Sequence, residues 1–450
     1  MNLFEMNAAD LAAAIHAGEC SSEELVRACL DHINSLEESV GAWAHLDPEY
    51  ALQQARDADL HRRSGAALGP LHGVPVGVKD IFDTEDMPTE HGSVLYKGRT
   101  PAYDATAVAL LRAAGAIVMG KTVTAEMAVY APGKTRNPHD HGRTPGGSSS
   151  GSAAAVAANM VPLAIGTQTN GSVIRPASYC GVIGFKPSHG LISRYRVLQQ
   201  SRALDQVGVF GRSVEDAALI AEQLMAYDER DPDLRPRARP DLVRVTAEEP
   251  PVAPHFAFVK TPAWDQADTD VQEGFAELSA FLGDQVETVD LDDLLGSSVG
   301  QHRAIMETDL ARSFGREYAG GRDRLSPQLC EMIERGQRCQ ALDYLDALEG
   351  IELLRGALAE MLLEYDAIIT PAATGEAPVG LESTGNPVFC TPWTLAGLPS
   401  ISLPLLGGAN DMPVGVQLVA SKGDDGRLLR TARWLAEKVA EEGGLGDYGQ

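Results

Sequence analysis

GPLHGVPVGVKDIF, residues 69–82, is where the apolar pattern of this chain changes period. Val74, Val76 and Val78 alternate with Pro75, Gly77 and Lys79, the two-residue repeat of a strand. Lys79 therefore ends a strand and points to its small-residue side.

Upstream of that point the spacing is helical. Residues 7–16 form one expected helix, and a second follows Ser21, where Ser21-x-x-Glu24 makes a capping box before LVRACLDHI. Both are expected to pack on the surface of the main body. Downstream, residues 106–114 read as a helix, 116–119 as a buried strand, 152–159 as an alanine-rich helix and 163–165 as another buried strand. This alternation predicts an α/β fold with a large mixed, mostly parallel central sheet covered by helices on both faces.

Residues 228–254, rich in proline and charge, read as a surface excursion between a body and a C-terminal portion. The expected organisation is one domain over residues 1–450, with N-terminal helices (1–65), a core (66–227), the excursion, and a C-terminal portion (255–450). In that last part a strand is expected over 255–260, helices over 271–282 and 341–365, and loop over 366–389.

A formal charge of −26 repels polyanions, so nucleic acid and anionic membrane are not expected partners. Cys20, Cys29, Cys180, Cys330, Cys339 and Cys390 are scattered without a C-x-x-C pair, which fits a reducing compartment and no structural zinc. The N-terminus carries acids where a signal peptide needs basic residues, and Asn159 and Pro162 break the longest apolar run. A cytoplasmic, soluble protein is expected.

Three short motifs compete for function. Gly115 to Thr122 fits the G-x-x-x-x-G-K-[ST] phosphate loop, but its middle residues are strand formers where that loop needs turn formers. Gly147-Ser-Ser149-Ser-Gly151 fits the G-x-S-x-G elbow, but a loop rather than a strand precedes it. His139-Asp140-His141 lacks a third ligand nearby, so polar loop residues are the expectation and no metal is assigned.

A longer arrangement absorbs the first two. GPLHGVPVGVKDIFD, GAIVMGKTVTAEMA, RTPGGSSSGSAAAVAA, GTQTNGSVIRPASYCGVIGFKP and NPVFCTPWTLAGLPSISLPL, followed by MPVGVQLVA, occur in order along the chain. In these blocks the chain resembles the amidase signature family, from about residue 8 to about residue 437. The resemblance implies that fold, and it implies catalysis by Lys79, a cis-configured bridging Ser148 and a nucleophile at Ser172, 24 residues beyond Ser148. It further implies an oxyanion hole from the backbone of Thr169, Asn170, Gly171 and Ser172. Ser149 becomes an auxiliary neighbour expected to help bind substrate, as is Met127, which matches the family's acyl-pocket loop, although core filling would equally account for a methionine. Trp393 and residues 372–384 are further pocket candidates. Where the family usually has G-T-D-x-G-G-S with an arginine two residues on, this chain has Gln168, Asn170 and Arg175, which puts the family's acid–arginine contact in question.

The chemistry asks for these residue types. A serine hydroxyl attacks an amide only when a base removes its proton. A lysine becomes such a base when burial brings its pKa down from about 10.4. No cofactor or metal is required. The expected activity is hydrolysis of a linear carbon–nitrogen amide bond in a small-molecule amide, ureide or acylamide, by a chain compatible with a homodimer or a small partner subunit. The alternative is the glutaminase subunit of a tRNA-dependent amidotransferase, feeding ammonia to a partner, which SRYRVLQQSRALDQVGVF (residues 193–210) resembles. A non-catalytic nucleotide-binding module built on Gly115 to Thr122 is the third reading.

Overall fold

The computed structural model describes residues 2–442. Its centre is a single sheet built from β1 (Trp43–Leu46), β2 (Pro75–Lys79), β3 (Ile117–Thr122), β4 (Leu163–Gln168), β5 (Ile183–Lys186), β6 (Gln206–Gly211), β7 (Phe256–Phe258), β8 (Val286–Thr288), β9 (Ala367–Pro371), β10 (Ser400–Gly407) and β11 (Pro413–Val419). The strands lie in the order β1-β3-β2-β4-β6-β5-β10-β11-β9-β7-β8. β2, β3, β4, β6 and β11 are buried at every position. Their valine- and isoleucine-rich runs suit strands covered on both faces.

The fold is α/β with a mixed sheet, but the expectation of mostly parallel pairing is corrected. Six pairings are antiparallel (β1/β3, β4/β6, β5/β6, β5/β10, β10/β11, β9/β11) against four parallel (β2/β3, β2/β4, β7/β9, β7/β8). The strand–helix alternation over residues 75–168 does give parallel β3-β2-β4, because each crossover there carries a helix. Beyond it, residues 408–412 join β10 to β11 by a short turn, and a turn of that length only closes a hairpin.

The excursion is corrected in part. Within residues 228–254 the helix Leu242–Ala247 packs on the helices Val214–Leu224 and Asp425–Glu442, burying Leu242 and Thr246. Asp228 and Asp231 are buried too, because Thr106 and Ser193 hydroxyls bond the first, at 2.5 and 2.7 Å, and the Arg194 guanidinium holds the second. Proline and charge here mark a packed connection with paired acids.

Near the N-terminus, the helices Ala8–Ala17 and Ser22–Val40 place Leu11, Ile15, Leu25 and Ile33 in the main core. The Ser21–Glu24 capping box is formed. The strand expected at 255–260 shortens to β7, and the helix expected over 341–365 ends at Met361. Among the described residues no helix is long and apolar enough to cross a membrane.

Candidate active site

β2 delivers Lys79 to the middle of the molecule. Its side chain is fully buried, and Nζ lies 2.9 Å from Ser148 Oγ and 2.9 Å from Thr167 Oγ1 on β4. Burial takes its pKa well below the ordinary lysine range, while the charge of Asp205 works the other way. Among the described residues no carboxylate forms an ion pair with it, in contrast to Lys121, which has Asp80 at 3.3 Å. A buried amine without a counter-ion is favoured in its neutral form.

Ser148 precedes the helix Ser150–Ala157, which packs on β2, β3 and β4. Its peptide bond to Gly147 is cis. The start of this helix has no room for a side chain at Gly151, where a Cβ would come within 2.2 Å of the Ala42 carbonyl oxygen and 2.3 Å of the Val123 nitrogen. Ser149 is buried, with Oγ donating to the Thr167 carbonyl at 3.2 Å and accepting from its N–H at 3.3 Å. It ties the Ser148 turn to β4.

Ser172 sits on the turn between β4 and the helix Ile174–Cys180. Gln168 caps that helix, its Oε1 accepting from the N–H groups of Val173 and Ile174 at 2.8 and 3.0 Å. A neutral amide thus does the capping at the position where the family pattern usually has an acid. Its Nε2 donates to Thr394 Oγ1 at 2.9 Å, and that hydroxyl donates to the Asn170 carbonyl at 2.5 Å. The Asn170 side chain accepts from Thr391 Oγ1 and donates to the Tyr130 hydroxyl. Thr169 Oγ1 donates to Asp205 at 2.7 Å, and His302 Nε2 lies 2.8 Å from the Thr169 carbonyl. Among the described residues the N–H groups of Asn170, Gly171 and Ser172 donate to no protein acceptor. Unpaired N–H groups gathered on one turn are the kind of donor that an oxyanion hole needs.

Arg175 turns away from Gln168. Its Nη2 donates to the Gly147 carbonyl at 2.7 Å and to Thr384 Oγ1 at 3.1 Å. Among the described residues no acid–arginine contact forms at this place; the arginine instead braces the turn before Ser148.

Two cavities flank the turn of residues 169–172. One of about 820 Å³ is lined by Tyr130, Asn170, His302, Met306, Met332 and Thr391, with a charged rim that includes Arg335. The other, about 760 Å³, reaches Thr167, Thr169 and Asp205 from the side of Arg194 and Gln200. Met127 lines neither; it is buried in an apolar cluster at φ 49°, its carbonyl accepting from Gln200 Nε2 at 3.0 Å. Trp393 is buried in that same cluster, and of residues 372–384 Thr384 touches Arg175.

The rival motifs have other duties. Lys121 lies on β3 and donates to the Phe82 carbonyl and Thr89 Oγ1, so Gly115 to Thr122 makes no phosphate cradle. His139 Nε2 bonds the Cys180 carbonyl, and Asp140 accepts from the Gly142 N–H and Arg143.

Sequence reading did not single out Thr167, Tyr130, Asp205, His302, Thr391 or Thr394 for this site. Asp205 lies inside a stretch already noted for its resemblance, and Thr391 and Thr394 in another. Nothing marks His302, a lone histidine on the helix Ser298–Ser313.

Comparison with known proteins gives one consistent result. The family model described as Amidase matches residues 24–429. The glutamyl-tRNA(Gln) amidotransferase A subunit of Natranaerobius thermophilus is 32% identical over 492 aligned positions, covering 100% of both chains. A solved chain from a vestigial protein complex described as revealing the evolutionary origins of an s-triazine catabolic enzyme is similar at a TM-score of 0.90 and 27% identity, over 98% of this chain and 99% of that one. The peptide amidase of Stenotrophomonas maltophilia is similar at a TM-score of 0.83 and 28% identity, over 97% of each chain.

Proposed function

This chain belongs to the amidase family, and from that premise we propose that it hydrolyses a carboxamide carbon–nitrogen bond through an acyl-enzyme on Ser172. The observation that carries the reading is the buried, acid-free Lys79 at 2.9 Å from Ser148 Oγ. Neutral Lys79 accepts the proton of Ser148 as Ser148 takes that of Ser172, and Ser172 Oγ bonds to the substrate carbonyl carbon. The resulting oxyanion accepts from the free N–H groups of the Asn170–Ser172 turn. The proton then returns through Ser148 to the leaving nitrogen, the carbon–nitrogen bond breaks, and water releases the acid by the same relay in reverse.

Two substrates compete within this chemistry. The full-length likeness to the tRNA-linked amidotransferase chains supports a glutaminase subunit that passes ammonia to a partner, and it supports this better than a stand-alone amidase. The stand-alone reading draws on the solved neighbours that are amidases or hydrolases in their own right, such as the peptide amidase of Stenotrophomonas maltophilia. Ammonia release separates them. The glutaminase reading expects the purified chain to act on glutamine only when a co-purifying partner is present. Turnover of small primary amides or ureides by the chain alone would replace it with the stand-alone reading. In either case the six unpaired cysteines fit a reducing, cytoplasmic setting.

A further inference from the structure

The nucleophile turn is oriented by groups that reach it from the C-terminal half of the chain. His302 comes from the helix Ser298–Ser313, is buried, and brings Nε2 to 2.8 Å from the Thr169 carbonyl oxygen. A carbonyl only accepts, so Nε2 is the protonated ring nitrogen. Burial holds the ring neutral, with its pKa lowered to about 4.

The carbonyl of Thr169 and the N–H of Asn170 belong to one planar peptide and point in opposite directions. A donor that fixes the first fixes the second. Thr394 does the same for the next peptide, its hydroxyl donating to the Asn170 carbonyl and thereby setting the Gly171 N–H. Donation to a peptide carbonyl also polarises its N–H into a stronger donor. The Thr169 side chain is anchored separately on Asp205, so the main chain and the side chain of this residue are held from two directions.

We propose that His302 is a positioning residue for the oxyanion hole: its Nε2–H holds the Thr169–Asn170 peptide plane so that the Asn170 N–H meets the developing oxyanion. The proposal rests on Ser172 being the nucleophile. It concerns the rate of bond formation at Ser172, because the substrate carbonyl becomes an oxyanion only in the transition state; His302 also lines the cavity beside Asn170, so the maximal rate is the readout that tests positioning.

The test is the kinetics of Ser172 phosphonylation by a fluorophosphonate, resolved into a maximal rate and a half-saturating concentration. His302→Leu removes the donor, while His302→Gln keeps an N–H at similar reach and His302→Asn holds its amide one carbon short. Loss of a full oxyanion donor costs about 10²–10³ in rate, so misorienting one is expected to lower the maximal rate at least about tenfold. In the Leu and Asn variants the maximal rate should fall; the Gln variant should recover most of it. An unchanged rate in Leu, an equal loss in Gln and Asn, or a shift confined to half-saturation overturns the proposal. Should the Leu variant not fold, the Gln and Asn pair decides. Wild type that fails to label at Ser172 overturns the parent reading instead.

Discussion

Lys79 carries two consequences of its burial. Its pKa lies well below the unfolded value of about 10.4, so the unfolded chain binds a proton there that the native chain does not. Between those two pKa values stability rises with pH, and at pH 7 the lysine is destabilising. Lys79→Met should therefore abolish phosphonylation yet raise Tm at pH 7, with the gain shrinking as pH approaches about 10; thermal melts across pH measure it, and a pH-independent change would contradict the account. Asp205, itself raised to about 6 by burial against the pull of the Thr169 hydroxyl and Arg194, stabilises the ammonium form of Lys79. Asp205→Asn removes that charge, so the acid limb of the labelling rate against pH should move to lower pH; a limb that stays or moves up is the contrary result. At this scale the proposed relay of Lys79, Ser148 and Ser172 is legible because each lies in a run of motif residues. His302 is not legible, because its partner lies 133 residues away and its own helix carries no motif.

Elements bring these residues together by close approach. The helix Ser150–Ala157 meets β3 and the chain before β1 with only hydrogen at Gly151. Gly151→Ala would press a methyl onto two backbone atoms that cannot swing aside, at a cost of about 3 kcal/mol, the upper end for overpacking. Chemical denaturation should show a lower midpoint with unchanged slope, and a variant as stable as wild type would refute the packing argument. The Gln168 cap is equally specific. Gln168→Asp shortens the side chain and loses the amide donated to Thr394, so labelling should slow even where the helix cap survives. Wild-type labelling rates in that variant would show that the Gln168–Thr394–Asn170 chain is dispensable. Periodicity revealed β2 and the helices beside it, since each alternates or repeats over several residues. It did not reveal the antiparallel β10–β11 hairpin, whose strands are buried on both faces and so lack alternation.

Across the whole molecule, the N-terminal segment supplies Lys79, Ser148 and Ser172, and the C-terminal segment supplies His302, Thr391 and Thr394, which hold the turn. β5 pairs with β10 in the centre of the sheet, so neither segment closes its own edge. Residues 1–227 expressed alone should be insoluble or fail to label, and co-expression with residues 228–450 should restore labelling; a soluble, reactive N-terminal fragment would contradict this division of labour. The sequence blocks reach both halves, which is why the family was readable. The substrate was not, because the cavity beside Asn170 gathers side chains from positions 130 to 391 whose proximity no local pattern encodes. The central claim is that Ser172 is the nucleophile of a relay from Lys79. Its most direct test is fluorophosphonate labelling with the adduct mapped by mass spectrometry in wild type, Lys79→Ala and Ser172→Ala. The account predicts one adduct, on Ser172, lost in both variants; an adduct on Ser149, or labelling that survives Ser172→Ala, would contradict it.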